Sequence, residues 1–229
     1  MTLSTYSFGL ATRIEFGPGI IKNVGMEAKK LRMTKVMVVA DKGVIGAGLV
    51  KPVEAALKTE GINYIIFDNI KPNPRDVNCM EGAEIGKKEG IDGLIAVGGG
   101  SSIDTSKAIG TLITNGGDIR TWAGLDLLKK DLPPFIAIPT TAGTGSEVTF
   151  DAVITDTEKH EKLNILDKKI APTVAIVDPE LLMKLPSSIM ASCGVDAMTH
   201  AVEAYTCKVA NPHTDAFALY AIELIQKHL

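Results

Sequence analysis

The chain has 229 residues, 45% of them hydrophobic and 22% charged, enough apolar material for a sizeable core. Its net charge of −3 argues against nucleic acid as a main partner, since no basic surplus exists to neutralise phosphates. No apolar run is long enough to span a bilayer, so no membrane partner is expected.

The N-terminus, Met1 to Tyr6, has no basic segment followed by an apolar core, so no secretory leader is expected. Cys79, Cys193 and Cys207 lie far apart and form no C-x-x-C pattern. Reduced thiols in a cytoplasmic protein are the expectation.

Arg13 to Phe16 reads as a short strand closed by Gly17-Pro18-Gly19. Lys35 to Ala40 is a β-branched strand closed by Asp41. Helical spacing is expected from about Gly43 to Thr59, and Ile62 to Phe67 is the next strand. Lys71-Pro72-Asn73-Pro74 breaks the chain and starts a helix through Met80 to Lys88, with Asp76 as its capping residue. Gly93 to Val97, Phe135 to Ile138 and Val174 to Val177 are further strands. Strands that alternate with helices and are apolar on both faces predict a parallel sheet covered on both sides. From Pro186 onward no strand is expected. Ser187–Ser192, Val195–Cys207 and Thr214–His228 read as helices, with Gly194 and Asn211-Pro212 as breaks. The expected organisation is an α/β dinucleotide-binding domain over residues 1–185, then the start of an all-helical domain over 186–229. So short a helical part cannot form its own core. It must rest on the α/β part or on another subunit, which leaves room for a homo-oligomer.

Ligands of such sheets bind beyond the carboxyl ends of the strands. Gly98-Gly99-Gly100-Ser101, between a strand and a helix, has the layout of a phosphate cradle. Its spacing is not G-x-G-x-x-G, and Ser101 with Asp104 also fits a capping box. Asp41 at a strand end can accept from a ribose diol and repel a 2′-phosphate, favouring NAD over NADP. Asn73 is held between two prolines, with its amide as the polar handle of that loop. Thr140, Thr141, Thr144 and Ser146, with Gly143 and Gly145, form a second small-residue loop suited to phosphate oxygens or a nicotinamide amide. Asp196 and His200 are spaced i, i+4 on one helix face. That spacing can serve two ligands of a divalent metal, but taken alone it reads first as a helix-stabilising hydrogen-bonded pair. His160 lies in a charged, solvated stretch.

Taken together, three stretches resemble the iron-containing, or group III, metal-dependent alcohol dehydrogenases: Gly98 to Ser101 with Asp104, Pro139 to Glu147, and Gly194 to Ala201. Phe16-Gly17, Pro72-Asn73-Pro74 and Val177 to Leu181 support the likeness. The resemblance implies that Asp41 and Asn73 contact the adenosine half of NAD and that Gly98, Gly99, Gly100 and Ser101 hold the pyrophosphate. It implies that Asp104, Thr140, Thr141, Thr144, Ser146 and Lys162 line the cofactor pocket. Asp196 and His200 match the first two metal ligands, for ferrous iron first and zinc second. The implied activity is hydride transfer between NAD and a short primary alcohol, a diol or the corresponding aldehyde. No side chain beyond the metal ligands is assigned a catalytic role. The family's two further histidine ligands come from helices later than residue 229, and His213 does not match them. The second reading is therefore a non-catalytic NAD-binding fragment with an incomplete metal site.

Overall fold

The computed structural model describes residues 5–229. Its centre is a six-stranded sheet in the order β1-β9-β6-β4-β2-β3, with every pair parallel. The strands are β1 (Arg13–Phe16), β2 (Lys35–Val39), β3 (Asn63–Phe67), β4 (Gly93–Gly98), β6 (Phe135–Pro139) and β9 (Val174–Val177). Alternate residues of the central strands feed two cores. Met37, Leu94, Ala96 and Phe135 point to one face, and Val36, Val38, Ile95 and Ile136 to the other. Both faces are covered, which is why these strands read as unbroken apolar runs. Helices α4 (Asp76–Glu89) and α5 (Gly100–Asn115) pack on the first face. Helices α1 (Val24–Lys30) and α3 (Lys51–Thr59) pack on the second.

The strand order places the binding crevice. From β2 the chain moves outward to β3, then returns to β4 on the other side of β2 and continues outward to β6. The connections after β2 and β4 therefore diverge. A crevice opens between the carboxyl ends of those two strands, where parallel sheets hold ligands.

Four expectations are corrected. The helix expected from Gly43 to Thr59 is two helices, α2 (Lys42–Gly46) and α3, because Gly48 turns the chain at φ 77° and Pro52 opens the new helix. Ser101 and Asp104 form no capping box: α5 starts two residues earlier than that motif requires, with Gly99 as its cap, and Asp104 bonds outside the helix. Asp76 is the first helical residue of α4 rather than its cap, and its buried carboxylate meets Thr157 and Arg120. Gly194 does not break the chain. Helix α6 (Ser187–Thr206) runs through it, and the missing side chain makes room for Leu229 at the end of α7 (Pro212–His228).

The sequence reading also missed a second sheet, in which β7 (Asp151–Asp156) and β8 (Glu161–Leu166) form an antiparallel hairpin with β5 (Gly124–Leu125) alongside. His160 sits in its turn at φ 58°. Arg120 ties this hairpin to α4 through Asp156 and Asp76.

Helix α6 reaches the sheet through the loop after β6. A Cβ on Gly143 would lie 2.7 Å from the Cys193 carbonyl oxygen and 3.0 Å from its Cα. This contact is backbone on backbone, so no rotamer can relieve it. Gly143→Ala is expected to destabilise the fold by about 1–3 kcal/mol, the usual cost of overpacking, read from urea unfolding.

Candidate active site

Two cavities open at the carboxyl edge of the sheet. The first, about 620 Å³, is bounded by Asp41, Gly99, Gly100, Ser101, Thr140 and Thr141 on the sheet side. Val44, Leu49, Leu181, Leu185 and Ile189 form apolar walls suited to a flat ring. The second, about 580 Å³, is lined by Asn73, Asp104, Ser146, Asp151, Lys162, Asp196 and His200, among others. Gly100, Ser101 and Thr144 border both, so one elongated ligand can run from the first into the second.

The glycines between them are required by close approach. Side chains at Gly99 and Gly100 would begin 3.0 Å from Thr141 and Thr144 respectively. The two loops are also tied by the Thr140 N–H, which donates to the Gly98 carbonyl at 3.0 Å. Helix α5 has no side-chain cap; the Ser102 and Ile103 amides donate to the Gly99 carbonyl, which leaves the Gly100 and Ser101 N–H groups for an anion. Asp41 Oδ1 accepts from the Gly43 and Val44 amides at 2.8 and 3.0 Å, capping α2. That bond pair fixes the carboxylate at the rim of the first cavity while leaving Oδ2 for a ligand.

Asn73 and Asp41 border different cavities. Asn73 lines the second cavity, where its Oδ1 accepts from Lys162 Nζ at 2.9 Å. The hairpin carries Lys162 across to that loop, and Thr155 Oγ1 also accepts from it, at 3.1 Å.

Beneath the second cavity lies a residue the sequence reading did not single out. The Lys107 side chain is fully buried. Its ammonium donates to Ser146 Oγ and Thr149 Oγ1, both at 3.1 Å, and to the Asp151 carbonyl at 2.6 Å. Asp104 Oδ1 lies 3.7 Å away and accepts from the Ser146 hydroxyl, while Oδ2 accepts from the Val153 amide at 3.1 Å. One signal was present: Lys107 stands four residues after Ile103 and three before Gly110, on the apolar stripe of α5. Burial pushes Lys107 down to about 8, and the neighbouring carboxylates oppose that shift without cancelling it. Burial also raises the carboxyl groups of Glu147 and Asp151.

Asp196 and His200 face one another on α6, with Oδ1 and Nε2 3.7 Å apart and both side chains about half exposed to the cleft. His200 Nδ1 meets the Gly143 carbonyl at 3.2 Å. A carbonyl only accepts, so the neutral ring carries its proton on Nδ1 and turns the Nε2 lone pair toward Asp196. That is the tautomer a metal ligand needs. The pair offers one nitrogen and one oxygen donor, a set that fits a divalent cation such as iron or zinc. No group of three or more such donors is assembled among the described residues. His213 lies apart, stacked on Phe8 at 4.8 Å and bonded to the Tyr6 hydroxyl at 3.1 Å.

The sequence model of the iron-containing alcohol dehydrogenases matches residues 11–179, and that of the C-terminal region of the same family matches 190–229. The chain belongs to the iron-containing alcohol dehydrogenase family. It is 44% identical to an NAD-dependent methanol dehydrogenase of Bacillus methanolicus, over 93% of this chain and 56% of that protein. It is 46% identical to a choline dehydrogenase of Bacillus subtilis, over 95% of this chain and 55% of that protein. Among solved structures it matches a 1,3-propanediol oxidoreductase at a TM-score of 0.95 and 41% identity, covering 98% of this chain and 59% of the other. A sulfoacetaldehyde reductase of Bifidobacterium kashiwanohense in complex with NAD+ matches at a TM-score of 0.89 and 31% identity, covering 98% and 60%. The chain thus spans little more than half the length of these relatives.

Lys107 gives this dehydrogenase fold a pH signature. The unfolded lysine keeps its proton to about 10.5, whereas the folded one releases it above about 8. Between those values the unfolded state binds more protons, so stability rises with pH. Urea titrations are expected to show wild type gaining on Lys107→Met as pH rises through that window. A difference that is flat or falls would contradict this assignment.

Proposed function

We propose that the chain supplies the cofactor-binding cleft and two metal ligands of an NAD-linked, metal-dependent alcohol dehydrogenase acting on short primary alcohols, diols or their aldehydes. The observation that carries the reading is the pair of joined cavities. One holds the glycine cradle and Asp41, the other holds Asp196 and His200, and three residues border both.

In this reading the adenosine half lies between Asp41 and the apolar walls of the first cavity, with Asp41 Oδ2 accepting from the ribose. The first-turn amides of α5, with Gly98 to Ser101, take the pyrophosphate. Thr140, Thr141 and Thr144 line the path into the second cavity, where Asp104, Ser146 and Lys162 surround the nicotinamide end. The hydrogen bond between Asn73 and Lys162 supports placing Asn73 at this end as well. Bound NAD supplies a hydride acceptor, and a divalent metal, iron before zinc, supplies Lewis acidity toward the alcohol oxygen. Asp196 and His200 hold that metal at the mouth of the second cavity, and the Gly143 carbonyl keeps the His200 ring in its ligating tautomer. The protein's contribution is orientation and exclusion of water.

We also place a division near Leu185, with the α/β domain before it and the beginning of a helical domain after it. The gap between the two family matches supports this boundary. A cytoplasmic location accords with the free thiols of Cys79, Cys193 and Cys207 and with the lack of a membrane-crossing helix among the described residues. The apolar side chains exposed on α6 and α7, such as Val202, Phe217 and Tyr220, suit burial against further helices or another subunit.

The decisive experiment is metal retention. The protein is loaded anaerobically with ferrous iron, desalted and assayed for iron, with His200→Ala alongside. Near-stoichiometric iron that the variant loses, with alcohol-dependent NADH formation abolished by a chelator, supports the enzyme. Absence of retained iron favours the NAD-binding fragment. Cofactor choice is tested separately by titrating NAD and NADP into wild type and Asp41→Gly. The wild type is expected to favour NAD and the variant to lose most of that preference, while equal ratios in both would remove the role of Asp41.

A further inference from the structure

Helix α5 seals an ammonium directly beneath the second cavity. The Lys107 side chain has no exposed surface, whereas Asp104, one turn earlier, is 15% exposed and lines that cavity. Two hydrogen bonds join them. Lys107 Nζ donates to Ser146 Oγ at 3.1 Å, and the Ser146 hydroxyl donates to Asp104 Oδ1. Ser146 lines the cavity as well. A hydrogen-bonded line therefore runs from a nitrogen closed to water to a carboxylate within reach of a ligand. Lys162 also borders this cavity, but it is exposed, and water weakens the field of its charge.

Each link of this line has a hydrogen to pass and a lone pair to receive one. A proton arriving at Asp104 Oδ1 can pass to Ser146 Oγ, whose own hydrogen passes to a neutral Lys107 amine. The arrangement of donors in the structure, Nζ to Oγ to Oδ1, is the one such a transfer leaves behind. The charges that face Lys107 come from three elements: Asp104 on α5, Glu147 on the short turn Ser146–Val148, and Asp151 on β7. From α4 the Cys79 thiol lies toward Asp104, and burial keeps it protonated. Across the cavity stand Asp196 and His200 of α6. Burial loosens the Lys107 proton and the three carboxylates tighten it, which leaves release at about 8. One further full charge in the cavity is then enough to decide whether the proton stays. A nicotinamide ring carries such a charge when oxidised and loses it on accepting a hydride.

We infer that Lys107 is a proton store coupled to the cofactor: its amine is neutral while an oxidised nicotinamide lies in the second cavity, and it takes up, through Asp104 and Ser146, the proton that alcohol oxidation releases. This rests on the proposed dehydrogenase reading and deepens it. In the step, the O–H bond of the alcohol breaks, a hydride leaves the carbinol carbon for the nicotinamide, and the proton ends on Nζ. Alcohol, NAD+ and amine become aldehyde, NADH and ammonium, so the charge of the closed site is the same before and after. Lys107 acts through Ser146 and Asp104 and touches no reacting atom. By linkage, the ammonium favours NADH and the amine favours NAD+ to the same degree.

The test follows Lys107 itself. The protein is prepared with carbon-13 at the lysine Cε positions and titrated by NMR alone, with saturating NAD+ and with saturating NADH. An unperturbed lysine titrates near 10.4, so the Lys107 signal stands apart, and Lys107→Arg identifies it by removing it. Should that variant fail to fold, the displaced midpoint assigns the signal in wild type. The Lys107 midpoint is expected to lie lower with NAD+ than with NADH by about one pH unit, a tenfold change in proton affinity. The dissociation constants give an independent reading: their ratio is expected to shift toward NAD+ by about tenfold as pH rises through this range in wild type, and to stay flat in Lys107→Arg. A lysine with a purely structural role would show one midpoint in both complexes. Equal midpoints, a lower midpoint with NADH, or a pH-dependent ratio that persists in Lys107→Arg overturns the inference and leaves the cofactor reading intact. Binding of neither cofactor form overturns both.

Discussion

The ammonium of Lys107 has no water to turn to, and the oxygens it takes instead fix how three segments of the chain meet. It stands on α5, and its hydrogen bonds reach the segment after the second glycine-rich loop and the first residue of β7. Asp104, one turn earlier on the same helix, makes a parallel set of bonds to Ser146 and Val153. A buried charge is tolerated only when its hydrogen-bonding capacity is met. Each of these contacts therefore constrains the others, and the floor of the second cavity follows from them. Asp104, Ser146 and Thr149, which line it, belong to this one network through their side chains, and Asp151 joins through its backbone carbonyl.

The same floor connects to both ends of the cleft. On one side, α5 begins at the glycine cradle, so the helix that carries Lys107 also aims its first-turn amides at the crevice between β2 and β4. On the other, the loop after β6 supplies Gly143, whose lack of a side chain admits α6 and whose carbonyl orients His200. The glycine-rich cradle and the Asp196–His200 pair come from segments about a hundred residues apart. They share a cleft because the two glycine-rich loops touch.

A large part of this was legible in the chain. The four central strands, β2, β4, β6 and β9, declare themselves as apolar runs because both faces of a parallel sheet are buried, and the small-residue stretches at their ends mark where backbone can approach a ligand. The hairpin of β7 and β8 was not legible, because its strands face the core on one side only and carry Asp151, Asp156, Glu161 and Lys162 at their ends. Short alternating strands with charged ends look like polar loop. Helix ends were misjudged where a glycine's role depended on a distant partner. Gly48 does break a helix, while Gly194 sits inside one because Leu229 needs the space.

The sequence by itself determined the α/β class, the cradle at Gly98 to Ser101, the i, i+4 pairing of Asp196 with His200 and the family likeness, all of which are properties of local spacing and short motifs. Only the tertiary structure decided which cavity each residue lines. It brought Asn73 to Lys162, buried Lys107 beneath the second cavity and left Asp151 Oδ1 without a partner. The physical reason is that a polar side chain's role is set by which donors and acceptors surround it once water is gone. Those neighbours come from strands and loops far away in the chain, so no local pattern records them.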